Sequence, residues 1–182
     1  MARPQAVFYY DLGSPHCYLA AERLPGTLRT MPEWEPIVAA DLDVVEHELD
    51  RGLVERLATF HGLQPVRWPA RWPPDTRVAM LAATYAKQVG RGVAFSLAAF
   101  RQAFAAGRDL SDRDTVLIAG AACEMHPTAL LKAIGLRSLG RALDSATARA
   151  RELGIQALPA LALGEALVTG PGLLEQAVEV LR

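Results

Sequence analysis

The stretch AVFYYDLGSPHCYLA, residues 6–20, constrains the fold more than any other part of the chain. Val7 to Asp11 carries the β-branched and aromatic residues typical of a buried strand, and the sequence Gly-Ser-Pro then breaks the pattern. Ser14 suits a helix N-cap because its hydroxyl can accept a hydrogen bond from an early backbone N–H group, and Pro15 has no N–H to leave unpaired. The sequence therefore predicts a strand followed at once by a helix.

The remaining patterns predict one more strand, a block of helices, a hairpin and a last helix. Trp34 to Leu42 is predicted as the second strand, ALPALALGEALVTG (157–170) as a hairpin around Gly164-Glu165, and GLLEQAVEVL (172–181) as the closing helix. In the middle, SDRD (111–114) resembles a capping box. Apolar residues also repeat there at helical spacing, first at Val78, Leu81, Ala82, Tyr85 and Val89 and then at Val93, Leu97, Phe100 and Phe104.

This order predicts an α/β thioredoxin fold with an all-helical domain inserted between strands 2 and 3. We assign residues 1–44 and 154–182 to the thioredoxin-like domain and residues 45–153 to the inserted helical domain. The last helix of the insertion is predicted from a stripe of apolar residues, and Gly154 after it is a fitting stop. The stripe consists of Leu136, Leu139, Leu143, Ala146, Ala150 and Leu153.

Composition narrows the classes of function. The chain has 182 residues, 51% hydrophobic content, a net charge of −1 and no basic tract, so we expect no nucleic-acid partner. No apolar segment approaches the ~20 residues that span a bilayer, and the N-terminus lacks the pattern of a signal peptide, so we expect a cytoplasmic protein without a membrane partner. The only cysteines, Cys17 and Cys123, form neither a disulfide framework nor a zinc site, and no metal is expected.

Three segments resemble a known family. FYYDLGSPHCYLA (8–20), ALPAL (157–161) and RWPARWPPDTRVAMLAATYAKQVGR (67–91) are similar to the DsbA-type family that includes 2-hydroxychromene-2-carboxylate isomerases and kappa-class glutathione transferases. The resemblance covers essentially the whole chain. It implies a DsbA-like fold, a thiol-dependent activity on a small molecule, and a homodimer.

The segment GSPHC (13–17) reads as a C-P-H-C redox motif in which Ser14 replaces the first cysteine. A helix N-terminus stabilises a thiolate, but a serine hydroxyl cannot exchange with disulfides. It can donate a hydrogen bond to the thiolate of a bound molecule and lower the pKa of that thiol. The resemblance implies that Ser14 is the catalytic residue and that the thiol is glutathione or an analogue such as mycothiol. The alternative is a helix cap without chemistry.

Pro159 is the second part of this predicted site. In the relatives the matching proline is cis, which turns the backbone N–H and C=O of the preceding residue, here Leu158, toward the cysteinyl part of a bound thiol. Pro15 is also assigned to thiol binding. The alternative for Pro159 is a trans-proline at the start of an edge strand.

Two residues beside Ser14 have open assignments. His16 either favours a bound thiolate or contacts substrate, or it is a solvated residue of the first turn. Cys17 is either a buried apolar residue or the nucleophile of a monothiol oxidoreductase. We expect Cys123 to lie in the core.

A third group of residues precedes and begins the helix of the RWPARWPPDTR segment. Trp68 and Trp72, with Arg71 and Arg77, suit a planar anionic substrate, since relatives line the substrate pocket here. The alternative is that this segment packs one domain against the other.

The sequence departs from the glutathione-dependent relatives at two places. They carry a Ser-Asp type pair after the fourth strand, where this chain has Gly170-Pro171-Gly172, and kappa-class enzymes supply an Asn and a Lys from the loop after strand 2, here AADLDVVEHELDRG (39–52). Three hypotheses follow: a thiol-dependent isomerase or transferase of an electrophilic aromatic acid, a redox-inactive peptide- or ligand-binding protein, and a monothiol-disulfide oxidoreductase using Cys17.

Overall fold

A four-stranded mixed sheet forms the centre of the protein in the computed structural model, which describes residues 5–42 and 49–181. The strands are β1 (Val7–Tyr10), β2 (Glu33–Pro36), β3 (Ala160–Leu163) and β4 (Ala166–Thr169). Their order across the sheet is β2-β1-β3-β4, with β1 parallel to β2 and antiparallel to β3, and with β3 antiparallel to β4. The predicted hairpin around Gly164-Glu165 is confirmed by the β3–β4 pairing.

Within the described residues the chain forms eight α-helices. They are α1 (Pro15–Thr27), α2 (Arg51–Phe60), α3 (Arg77–Gln88), α4 (Gly92–Phe104), α5 (Arg113–Ala122), α6 (Pro127–Ile134), α7 (Arg137–Glu152) and α8 (Leu173–Val180). Helices α2 to α7 lie between β2 and β3 in the chain. The predicted α/β thioredoxin fold with a helical insertion is therefore confirmed.

Aromatic packing joins the sheet to the inserted helices in one hydrophobic core. Phe8 and Tyr10 of β1 are fully buried, and both lie edge-on to Trp34 of β2 at 5.1 and 5.5 Å between ring centroids. Tyr10 also contacts Phe100 of α4 at 5.9 Å. Rings of this size dominate core energetics, so the sheet and the insertion stabilise each other. The predicted domain boundary between residues 44 and 45 lies outside the described residues, and the division into domains stays a prediction.

The second strand is shorter than predicted. It ends at Pro36, whereas the sequence predicted a strand from Trp34 to Leu42. The chain then turns into a short 3-10 helix, Ala39–Asp41, because the backbone N–H of Ala39 donates to the buried carboxylate of Asp11 at 2.8 Å. The Asp11 side chain thus accepts the hydrogen bond that, in a longer β2, a neighbouring strand would have accepted from Ala39.

Helix α3 buries only part of the predicted stripe. Ala82 of the stripe is buried, together with Ala79, Met80 and Ala83 from outside it, whereas Val89 lies just past the helix and is 49% exposed. Val78, Leu81 and Tyr85, from the predicted stripe, are only partly buried. Helices α4, α5, α6 and α7 and strand β2 all pack on α3, and small residues allow these close approaches.

The N-cap residue predicted from the sequence is confirmed for α1 but not for α5. Asp112, and not Ser111, is the N-cap of α5, and its side chain accepts from the N–H of Asp114. Ser111 instead donates its hydroxyl hydrogen to Asp109 at 2.6 Å. Sequence reasoning missed α2 and α6, which are short and bury only two residues each. Gly154 follows α7 with φ of +75°, as expected for a glycine stop.

Candidate functional site

Ser14 caps the N-terminus of α1, as the sequence predicted. Its Oγ accepts a hydrogen bond from the N–H of Cys17 at 3.2 Å, and Pro15 occupies the first helical position. The cap uses one lone pair of the hydroxyl, so the O–H hydrogen of Ser14 remains available to an acceptor. Ser14 is half-buried, and the positive end of the helix dipole lies beside it.

A buried carboxylate below this turn holds it in place. Asp11 is 3% exposed and accepts hydrogen bonds from the N–H of Gly13 at 2.8 Å, the N–H of Ala39 at 2.8 Å and the hydroxyl of Thr76 at 3.2 Å. Burial raises the pKa of Asp11, and these three hydrogen bonds partly oppose the rise. Sequence reasoning did not assign Asp11 to the site, although an acidic residue directly after an apolar strand was the available signal.

Gly13 lies where no side chain fits. A Cβ built on it would be 2.7 Å from Cγ2 of Thr76, which lies just before α3. The carbonyl oxygen of Gly13 also accepts a hydrogen bond from Nε1 of Trp72 at 3.3 Å. The segment before α3 therefore packs directly against the turn that carries Ser14.

Cys17 faces the core and not the solvent. Its side chain is fully buried, and burial raises its pKa to about 12 against weaker opposing effects from the Ser14 side chain and the Asp11 backbone. A thiol with this pKa is almost entirely protonated near neutral pH. Cys123 is also buried, as predicted, and its sulfur donates to the carbonyl oxygens of Ala119 and Gly120.

His16 is half-buried in the first turn of α1. Burial lowers its pKa, which favours the neutral imidazole near pH 7. Its Nδ1 atom is buried and has no hydrogen-bond partner among the described residues. A charged His16 next to a bound thiolate is therefore disfavoured, while a contact with a bound ligand remains a prediction.

The loop before β3 lies at the same edge of the sheet as the Ser14 turn. Tyr9 of β1 pairs with Ala160, so the residues after β1 and those before β3 are neighbours. The Leu158–Pro159 peptide bond is cis, and the carbonyl oxygen of Pro159 accepts from the N–H of Gly170 at 2.8 Å. Within the described ranges, the backbone N–H and C=O of Leu158 make no hydrogen bond. Two backbone groups beside the Ser14 turn are thus available to a ligand.

The two tryptophans of the RWPARWPPDTR segment contact each other, and one of them contacts the Ser14 turn. The rings of Trp68 and Trp72 meet at 5.7 Å and 77°, and Trp72 reaches the Ser14 turn through Gly13. The Trp72–Pro73 peptide bond is also cis. The guanidinium that contacts both rings belongs to Arg51, at 4.9 Å from Trp68 and 5.5 Å from Trp72.

Of the two arginines singled out from the sequence, Arg77 forms ion pairs away from the tryptophans, whereas Arg71 is exposed. Arg77 pairs with Asp144 at 2.6 Å and with Asp41 at 3.5 Å, so it connects α3 to α7. The pKa of Asp109 is lowered first by hydrogen bonds from Ser111 and, to a smaller extent, by the positive charge of Arg71. Arg51 lies at the start of α2, far from Arg71 and Arg77 in the sequence. Spacing along the chain therefore gave no reason to assign it to the tryptophans.

The residues directly after β4, Gly170-Pro171-Gly172, include no carboxylate. Gly170 has φ of +86°, and Gly172 is the N-cap of α8 without a side chain to cap it. The first acidic residue of α8, Glu175, forms an ion pair with Arg23 of α1. In the loop after β2, residues 43–48 lie outside the described residues.

Residues 5–42 and 49–181 contain no group of three or more His, Cys, Asp or Glu side chains placed to hold a metal ion. In the same part of the chain, no helix is both long enough and apolar enough to cross a bilayer.

The sheet order, the helical insertion and the Ser-Pro helix start define a thioredoxin-fold protein of the DsbA type. The sequence matches the DSBA-like thioredoxin domain family over residues 5–182, and the chain belongs to that family. Among curated proteins, none matches the sequence.

Solved structures with the same fold include enzymes of different activities. A 2-hydroxychromene-2-carboxylate isomerase has a TM-score of 0.82 at 19% identity, over 97% of this chain and 95% of that one. A probable DsbA oxidoreductase from Streptomyces coelicolor has a TM-score of 0.79 at 16% identity, over 97% and 88%. The cytosolic disulfide reductase DsbM from Pseudomonas aeruginosa, solved with GSH, has a TM-score of 0.69 at 18% identity, over 97% and 98%. At these identities the similarity establishes the fold alone.

Proposed function

We propose that the protein is a thiol-dependent isomerase or transferase that acts on an electrophilic aromatic acid, with Ser14 stabilising the thiolate of a bound low-molecular-weight thiol. One observation carries the proposal: a serine caps α1 at the position that stabilises an anion, while the nearby Cys17 is buried with a pKa of about 12. The sulfur anion suited to this helix terminus would come from a ligand.

The residues present fit a thiol ligand. Ser14 can donate its O–H hydrogen to a sulfur anion while its oxygen accepts from the N–H of Cys17. The N–H and C=O of Leu158, which pair with none of the described residues, can bind the backbone of a cysteinyl group. Pro15 closes the first turn without an N–H group and is buried. These contacts support glutathione or a related thiol such as mycothiol.

A bound thiol would supply the nucleophile, which adds to a conjugated double bond and, in an isomerase, leaves again after rotation about the bond that has become single. Ser14 and the α1 N-terminus lower the pKa of that thiol, so its proton passes to solvent before the addition. The neutral His16 adds no charge to the site.

Two features separate this proposal from disulfide exchange by Cys17. The high pKa of Cys17 removes the thiolate that attacks a disulfide, and its full burial denies access to a second sulfur. The isomerase of the same fold and the GSH-bound DsbM structure add support from relatives. A redox-inactive binding protein stays the second candidate, because Gly170 and Gly172 offer no side chain to the far end of a thiol peptide.

Thermal shift with glutathione, mycothiol and cysteine tests the proposal, since a ligand of the folded state raises the melting temperature. We expect at least one thiol to raise it in the wild type and to have much less effect in Ser14→Ala. Ser138→Ala is the matched control, because Ser138 is an exposed serine in the first turn of α7. A wild type that responds to none of the three thiols contradicts the proposal.

A further inference from the structure

The guanidinium of Arg51 lies in a corner formed by two tryptophan rings. It is 4.9 Å from the ring centroid of Trp68 and 5.5 Å from that of Trp72, and the two rings stand at 77° to each other. Arginine in contact with aromatic faces gains cation–π attraction, which fixes its position. We call these three residues the Arg51 corner.

The Arg51 corner adjoins the Ser14 turn. Nε1 of Trp72 donates to the carbonyl oxygen of Gly13 at 3.3 Å, and Gly13 directly precedes Ser14. Trp68 is held from the other side, because its Nε1 donates to the carboxylate of Glu55 in α2 at 2.7 Å. Both rings are half-buried, so each retains some surface accessible to a ligand.

The Arg51 guanidinium contacts the two tryptophan rings and, within the described residues, forms no ion pair. As the first residue of α2 it lies at the positive end of the helix dipole, where a cation is disfavoured. The carboxylate of Asp50 accepts from Leu53 and pairs with Arg56 at 3.6 Å. Among the described residues no carboxylate lies within 4.0 Å of the Arg51 guanidinium.

A guanidinium placed in this way can recognise a carboxylate on a flat molecule. When its face lies on an aromatic ring, its in-plane N–H groups stay free for a bidentate contact with a carboxylate. Exposed indole surface beside it can stack on an aromatic ring of the same ligand. The two contacts together require a planar aromatic acid, because an aliphatic acid lacks the ring and a neutral aromatic molecule lacks the charge.

We propose that Arg51, held by Trp68 and Trp72, binds the carboxylate of a planar aromatic acid next to Ser14 and selects the substrate. This assignment rests on the proposed function, since it supplies the binding site for the acid that the thiolate attacks. It takes the role assigned from the sequence to Arg71 and Arg77; Arg77 is paired with Asp144 and Asp41, and among the described residues the arginine over the two tryptophan rings is Arg51.

Calorimetric titration without any thiol tests the assignment. The probes are 2-naphthoate and its neutral counterpart 2-naphthamide, and the proteins are wild type, Arg51→Gln, Arg51→Lys and Arg56→Gln. Arg56 is the matched control, an exposed arginine on the same helix. We expect Arg51→Gln to weaken 2-naphthoate binding by roughly tenfold to a hundredfold, the range of a charge-assisted hydrogen-bonded pair, and to leave 2-naphthamide binding unchanged. Arg51→Lys should fall between, and Arg56→Gln should match the wild type.

Four results would overturn the assignment. The first is that the wild type does not bind 2-naphthoate, and the second is that wild type and Arg51→Gln bind it equally well. The third is that Arg51→Gln loses binding of 2-naphthoate and of 2-naphthamide to the same extent. The fourth is that Arg51→Gln loses the thermal shift from glutathione while its binding of 2-naphthoate is intact. The last would place Arg51 in the thiol site. A failure of the proposed function is distinguishable, because it shows in the wild type as a missing response of the melting temperature to thiols, whereas a failure of this assignment shows in the titration of Arg51→Gln with 2-naphthoate.

Discussion

The hydroxyl of Thr76 donates a hydrogen bond to the carboxylate of Asp11 at 3.2 Å, across 65 positions of sequence. Asp11 directly follows the first strand of the sheet, and Thr76 is the N-cap residue of helix α3 in the insertion. The same carboxylate also accepts from Gly13, one residue before Ser14. The helical insertion is therefore connected through one buried side chain to the turn that carries the candidate catalytic serine.

Replacing Ser14 with cysteine should create a disulfide reductase. The new thiol would lie at the α1 N-terminus, where the dipole lowers a thiol pKa, and one turn from Cys17, whose N–H now contacts the Ser14 oxygen. We expect turnover of insulin disulfides by Ser14→Cys and none by the wild type. The double variant Ser14→Cys/Cys17→Ala is the control and should lose the turnover. An inactive Ser14→Cys protein that is folded would show that the two positions lack dithiol geometry.

Cys17 should react very slowly with iodoacetamide in the folded protein. Its pKa of about 12 is raised by burial from the ordinary 9.0, so its thiolate population near neutral pH falls about a thousandfold relative to an ordinary thiol. The measurement is mass-spectrometric alkylation at pH 7.5 in Cys123→Ala, which leaves Cys17 as the only thiol. The same protein unfolded in about 6 M urea should react at the rate of an ordinary exposed thiol. Fast alkylation of the folded chain would favour the monothiol oxidoreductase.

Replacing Gly13 with alanine should destabilise the protein by about 1–3 kcal/mol, the usual cost of forcing extra volume into a packed site. The new Cβ would lie 2.7 Å from Cγ2 of Thr76. Thr76→Ser removes that methyl group and keeps the hydroxyl that donates to Asp11, so the double variant should regain much of the lost stability. Urea unfolding of the wild type, the two single variants and the double variant gives the coupling. Purely additive effects would show that this contact does not set the requirement for glycine.

Asp11→Asn should change how stability depends on pH. The folded-state pKa of Asp11 is raised above its ordinary value of 3.8, so the folded chain binds this proton more tightly than the unfolded chain does. The contribution of Asp11 to the free energy of unfolding is therefore full below its unfolded pKa and declines as pH rises through the raised folded pKa. Asn does not titrate, so the stability of the wild type relative to Asp11→Asn should fall as pH rises from about 4, the ordinary carboxyl range.

Urea unfolding of both proteins across that pH range measures the difference, and Asp114→Asn, an exposed acidic residue of α5, is the control. Parallel profiles for wild type and Asp11→Asn would contradict the raised pKa. In addition, Asn can accept with only one side-chain oxygen, so the lost hydrogen bonds should lower the stability of Asp11→Asn by about 1–3 kcal/mol.

The sequence by itself determined the start of the site. Ser14 and Pro15 specify a helix N-terminus through hydrogen bonds and backbone angles that involve only residues 14–18, and the Gly154 stop is equally local. The apolar patterns around this start and in the hairpin predicted the order of the strands around a helical insertion, and so the thioredoxin topology, although α2 and α6 within the insertion were missed. Contacts between neighbours in the chain decide these features, which is why the residue types reveal them.

Only the tertiary structure decided which side chains surround Ser14. Asp11 and Thr76 support the turn that carries Ser14, and Arg51 contacts Trp72 beside it, whereas Arg77 pairs with Asp144 and Asp41. Burial in the hydrophobic core, and not the position after Ser-Pro, sets the protonation state of Cys17. Charge pairing and desolvation depend on groups far apart in the sequence that only folding brings within a few ångströms, so spacing along the chain carries no record of them.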